Sequence, residues 1–146
     1  MLVQLGIGSG LTLVTIIVAA LAWWGLEALL KRMHGWSTRS PHGPKLMSVL
    51  ALSLIWTLGM MAIAIWLWAI AFHWLHIFGT YEEAVYFSLV AFTTLGFGDI
   101  LLPQEWRLLS GLAAANGLLM FGLLTAILVE TLRETRTRQR NTSTKS

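Results

Sequence analysis

The run Thr93-Thr94-Leu95-Gly96-Phe97-Gly98-Asp99 is the part of the chain whose residue types and spacing could do chemistry. Its two glycines stand at alternate positions, and glycine takes left-handed backbone angles at little steric cost. Such alternation can turn successive carbonyls to the same side, where an extended strand would send them to opposite sides. A row of carbonyl oxygens suits a dehydrated potassium ion, because rings of backbone carbonyls can replace its hydration shell. Carboxylates in the same place would trap the ion. The chemistry on offer is ion coordination, not bond breaking. No nucleophile–base set, metal cluster or nucleotide loop assembles elsewhere, so no enzyme, organic substrate or organic cofactor is expected. The chain has no cysteine, which excludes disulfides and thiolate metal sites.

The elements that must position this run are legible around it. Thr80, followed three residues later by Glu83, forms a capping box and starts a helix expected over 81–92. Its apolar part, Ala84 to Phe92, is about 14 Å long as a helix, too short to cross a bilayer. Three other stretches are long and apolar enough: Ile7–Leu30, Leu46–Leu75 and Trp106–Leu132. The composition agrees, being 56% hydrophobic and 12% charged, where a soluble domain carries about 25% charged residues. The first stretch lacks the basic start and cleavage site of a signal peptide and is expected to remain as a span. Non-helical backbone at membrane depth is tolerated only when buried in protein or lining an aqueous path. The fold class expected is an all-α membrane protein, with three transmembrane helices and a re-entrant short helix and loop.

Charge sets the orientation. Lys31, Arg32, Arg39 and Lys45 lie between the first and second spans, and Arg133, Arg136, Arg138, Arg140 and Lys145 follow the third. Only Arg107 falls on the other side, so the positive-inside rule places the N-terminus outside and the C-terminus in the cytoplasm. The basic clusters flank apolar segments, and no domain remains to bind nucleic acid.

The segment GTYEEAVYFSLVAFTTLGFGDILLP, set between two spans, resembles the pore-loop potassium channels, above all the small bacterial type with two helices per subunit. Thr94-Leu95-Gly96-Phe97-Gly98-Asp99 is similar to that family's T-V-G-Y-G-D. The resemblance covers roughly residues 46–132 and leaves an additional N-terminal helix outside it. It implies a homotetramer in membrane lipid, with potassium as the permeant ligand held at Thr94, Leu95, Gly96 and Phe97. Gly98 completes the filter, and Asp99 stands at the pore mouth. It further implies a cavity and gate formed by Gly117, Leu118, Phe121, Thr125 and Val129, and a bacterial inner membrane as the location. Two departures stand out: Phe97 lacks the hydroxyl common at its position, and Val90 replaces a glutamate found in some members.

The domains so expected are an N-terminal transmembrane helix over 1–33, a cytoplasmic loop over 34–45, a pore domain over 46–132 and a basic cytoplasmic tail over 133–146. Within the pore domain the outer helix is 46–75, the pore helix 81–92, the filter 94–99 and the inner helix 106–132. A potassium-selective channel is the function this implies. A weakly selective cation channel, motivated by Leu95 and Phe97, and a non-conducting membrane scaffold are the alternatives.

Several residues carry two readings each. Gly117 serves as a hinge or as a small packing residue, and Gly122 competes with it as the hinge. Asn116, polar and mid-span, bonds a neighbouring helix or faces the cavity. Gly6 and Gly10 have the spacing of a helix-packing motif. Trp68, Trp74 and Trp106 suit an outer interfacial belt and Trp36 an inner one. The loop Trp36–Pro44 is expected to be irregular, and the tail from Glu134 to fray.

Overall fold

In the computed structural model, residues 1–32 and 42–143 are described. They form four helices: α1 (Leu2–Arg32), α2 (His42–Trp74), α3 (Tyr81–Phe92) and α4 (Arg107–Ser143), with a 3-10 turn at Gln104–Trp106 before α4. There is no strand among the described residues. Three segments are long and apolar enough to cross a membrane: Leu2–Leu29, Met47–Trp74 and Gln104–Glu134. In lipid a helix satisfies its backbone groups internally, which is why such runs fold this way.

Short α3 sits between α2 and α4 and packs on both, while α1 packs on α4 and, less extensively, on α2. The Gln4 side chain donates to the Glu105 carbonyl at one level and Thr15 meets Asn116 at another. Both residue numbers rise together along the two helices, so α1 and α4 run parallel. Further along, a Cβ on Gly25 would stand 3.3 Å from the Trp56 ring, so the later part of α1 leans on α2.

An aromatic cluster holds α3 against α2. Trp68 packs on Phe72 (centroids 5.7 Å apart) and edge-on to Phe92 (6.3 Å), while Phe72 meets Phe87 edge-on at 5.4 Å. Phe78, from the turn between the helices, closes the cluster on Phe72 and Phe87. Trp68 is therefore a core residue, fully buried, and not a member of an interfacial belt. Four residues separate Trp68 from Phe72, so both lie on the α2 face that meets α3. Trp74 is 74% exposed; Trp36 lies outside the described residues.

Two expectations are corrected at the ends of the helices. His42–Pro44 belong to the first turn of α2 and not to an irregular loop. Proline fits there because a helix's first N–H groups have no internal partner anyway. The tail does not fray at Glu134, since α4 continues to Ser143. Once a helix exists, each added residue gains a hydrogen bond without a new nucleation cost. The hydroxyls of Thr131 and Thr137 also bond the carbonyls of Ile127 and Arg133, each at 2.9 Å, without leaving helical geometry.

Candidate functional site

The site is built outward from α3. Its N-terminus is capped as the sequence suggests: the Glu83 backbone N–H donates to the Thr80 hydroxyl at 3.3 Å. Tyr81 lies against His73, with ring centroids 4.0 Å apart. His73 Nδ1 lies 3.2 Å from the Phe78 carbonyl, within reach of a hydrogen bond in the tautomer protonated at Nδ1. These contacts fix the N-terminal end of α3 to the end of α2.

The C-terminus of α3 forms a Schellman motif. The Leu95 N–H donates to Val90 O at 3.1 Å and the Thr94 N–H to Ala91 O at 3.0 Å. The left-handed residue this motif requires is Thr94, at φ +57°. Glycine usually fills such a position; a β-branched residue there is a genuine outlier. The Thr93 hydroxyl adds a bond to Leu89 O at 2.8 Å. The end of α2 is built alike, with His76 at φ +56° and the Ile77 N–H reaching Phe72 O at 3.1 Å.

Beyond Thr94 the left-handed angles recur at Gly96 (φ +56°) and Gly98 (φ +77°), and Leu95 and Phe97 between them have negative φ. The alternation thus begins one step earlier than the glycines alone suggest. A Cβ on Gly96 or Gly98 would touch nothing within 4 Å, so the backbone angle, not crowding, is what calls for glycine. All residues from Thr93 to Asp99 are exposed, including Leu95 at 57% and Phe97 at 66%.

The loop is tied back at its far end. The Tyr86 hydroxyl, from the middle of α3, donates to Asp99 Oδ2 at 2.6 Å. That bond holds the Asp99 carboxyl below the usual carboxylate range, with the backbone N–H groups of Asp99 and Ile100 adding and desolvation opposing. Tyr86 is raised in turn, first because Asp99 holds its proton, then by burial and by the negative charge. Sequence reasoning passed over Tyr86. Val90 carries no carboxylate and is buried, so among the described hydrogen bonds Tyr86 supplies the only side-chain tie to Asp99.

On α4 the suggested residues separate. Leu118, Phe121, Thr125 and Val129 are all exposed, and Phe121 and Thr125 line a groove together with Leu124 and with Leu54, Thr57, Leu58 and Met61 of α2. Gly117 is instead buried against α3: a Cβ there would stand 2.4 Å from Phe92 O and 2.5 Å from Phe92 Cα. Gly122 has open space. Asn116 is fully buried, and its Nδ2 donates to Thr15 Oγ1 of α1 at 2.9 Å. Of its two readings, the bond to a neighbouring helix is the one the structure adopts. The helix contact made through α1 uses Gly8, whose Cβ would meet Leu112 Cδ1 at 2.4 Å. Gly6 and Gly10 face open space and pack against no helix of their own chain. Gly8 sits between them on the other side of the helix, a difference that spacing alone does not reveal.

A groove of about 310 Å³ opens beside the loop, lined by Phe87, Val90, Thr94, Gly96 and Gly98 and by Ser110, Gly111 and Ala114 of α4. No curated protein and no solved structure matches the chain. An ion-channel family model matches residues 60–134, from mid-α2 through α3 and the loop to Glu134 of α4. That span is just over half of the chain and holds every element of the site except α1. With its three membrane-length helices, the chain is an integral membrane protein of the ion-channel family.

Proposed function

We propose that four copies of this chain surround a potassium-selective pore, with the carbonyls of Thr94, Leu95, Gly96 and Phe97 and the Thr94 hydroxyl as the ion ligands. The observation that carries this reading is the alternation of backbone hand at Thr94, Gly96 and Gly98. Residues of alternating hand present successive carbonyls to one side, the arrangement that can replace a cation's water. One chain supplies one such row, and a ring needs several related by rotation about the pore.

The exposed apolar surface supports the association. Leu95, Phe97, Leu118 and Phe121 are each more than half exposed, and the groove beside the loop offers room for a neighbouring subunit. In this assembly α2 is the outer helix, α3 the pore helix and α4 the inner helix, with Leu118, Phe121, Thr125 and Val129 towards the cavity and gate. Asp99 stands at the outer mouth, where its charge raises the local cation concentration. The basic clusters orient the N-terminus outward and the C-terminus to the cytoplasm. A bacterial inner membrane is the location that fits the family resemblance.

The test is the reversal potential of purified protein in planar bilayers under opposed potassium and sodium gradients, with Gly96→Ala alongside. A potential that follows potassium, abolished by Gly96→Ala, is the expected result. A potential near zero would replace this reading with a weakly selective cation pore. A verified assembly of other than four subunits without flux would favour the scaffold.

A further inference from the structure

The helix α1 lies outside the residues that match the ion-channel family, yet it is anchored to α4 at three levels. Its Gln4 side chain donates to the Glu105 carbonyl just before α4 begins. Gly8 brings its backbone against Leu112 and Leu109. Thr15 then meets Asn116, the tenth residue of α4, with the two side chains 1% and 0% exposed.

The third contact differs in kind from the other two. Asn116 Nδ2 donates to Thr15 Oγ1 at 2.9 Å, and the single hydroxyl proton can go to Asn116 Oδ1 at 3.0 Å or to Thr12 O at 2.8 Å. A buried amide without a partner is costly in apolar surroundings. α4 therefore cannot turn away from α1 without stranding Asn116. The next residue, Gly117, points elsewhere, since successive residues of a helix stand about 100° apart. It presses on Phe92, the last residue of α3, so closely that no Cβ fits between. Phe92 leads directly into Thr93 and Thr94, where the left-handed alternation begins.

We propose that Thr15 and Asn116 are a positioning pair: through them α1 sets the rotation of α4, seats Gly117 against the end of α3, and so holds the base of the ion-coordinating loop. This rests on the conduction reading above. The two residues touch no ion. They act through the Gly117–Phe92 contact, which a turn of α4 by a few tens of degrees would break.

The test compares wild type, Thr15→Val and Thr15→Ser in liposomes. Valine keeps the shape and removes the bond; serine keeps the bond. Two readouts are taken, potassium-over-sodium permeability and the maleimide labelling rate of Met120→Cys, a position 1% exposed in a chain that has no other cysteine. Thr15→Val should lower the permeability ratio, by no more than the roughly tenfold shift in the orientation of α4 that one lost buried hydrogen bond allows, and speed labelling. Thr15→Ser should restore both. An assembled Thr15→Val channel with wild-type selectivity and a protected thiol overturns the proposal.

If Thr15→Val fails to assemble, Thr15→Val with Asn116→Leu takes its place, because it leaves no polar group unpartnered. That double variant should assemble and still show the selectivity loss and fast labelling; wild-type behaviour in it also overturns the pair's role. If wild type itself passes no ions, the conduction reading fails. Labelling alone then decides whether α1 governs the rotation of α4.

Discussion

Tyr86 Oη lies 2.6 Å from Asp99 Oδ2, so the middle of α3 holds the far end of the loop that its own C-terminus begins. The loop is fixed at both ends by one helix, through the Schellman motif at Thr94 and through this phenol. Phe97 brings no hydroxyl and Val90 no carboxylate, and Tyr86 supplies an anchor to Asp99.

The pair has a pH window whose limits follow from the shifts. The Asp99 carboxyl is lowered, so its contribution is complete above the ordinary carboxylate range and is lost as pH falls through the lowered value. Tyr86 is raised, so its contribution is complete below the ordinary phenol value and is lost as pH rises through the raised one. Channel current should therefore hold steady between these limits. In Tyr86→Phe the acid limit should move up towards the ordinary carboxylate range. A titration of current against external pH checks this, and an unmoved acid limit would show that the bond does not hold Asp99.

Gly117 and Gly122 should respond differently to alanine. At Gly117 the new methyl meets backbone atoms of Phe92 that cannot swing aside. Overpacking of this kind costs about 1–3 kcal/mol, occasionally more. Gly117→Ala should lower the melting temperature of the detergent-purified protein, and Gly122→Ala, with nothing within 4 Å, should leave it unchanged. Equal melting temperatures would mean that α4 does not press on α3 as described.

Gly8 is the close-contact residue of α1, and a Cβ there conflicts mainly with Leu112 Cδ1, the far end of a flexible side chain. Gly8→Ala should cost no more than about 1 kcal/mol, the low end for overpacking, while Gly8→Leu should detach the N-terminal part of α1 from α4. Gly6→Leu and Gly10→Leu serve as controls, since both positions are open. Protease sensitivity of the N-terminal segment reads the outcome. Equal protection in all four variants would contradict the packing face assigned to α1.

Thr94 carries strain at φ +57°, where an L-residue pays about 1–2 kcal/mol relative to glycine. Thr94→Gly should keep or raise thermal stability and reduce potassium selectivity, because it relieves the angle and deletes a hydroxyl proposed to bind the ion. Strain of this kind is often retained at functional sites. A clear loss of stability in Thr94→Gly would indicate that the threonine makes a structural contact that outweighs its angle.

The three membrane-length helices and the start of α3 at Thr80 were legible in the sequence, since each depends on neighbours a few residues apart. A long apolar run must hydrogen-bond to itself in lipid, and a threonine can cap only the turn that follows it. The left-handed angles at Gly96 and Gly98 were legible for a similar reason. Those at Thr94 and His76 were not, because threonine and histidine take such angles only when the surrounding bonds impose them.

Tertiary structure decided the rest. The bond of Tyr86 to Asp99, the bond of Thr15 to Asn116, and the seat of Gly117 on Phe92 join residues far apart in the chain. So does the burial of Trp68, which composition alone would send to the lipid interface. Apolar periodicity marks which segments enter the membrane, but inside lipid every face of a helix is apolar. Which face meets which neighbour is settled by close packing and by the few polar groups that need a partner. Those partners are set by the fold as a whole.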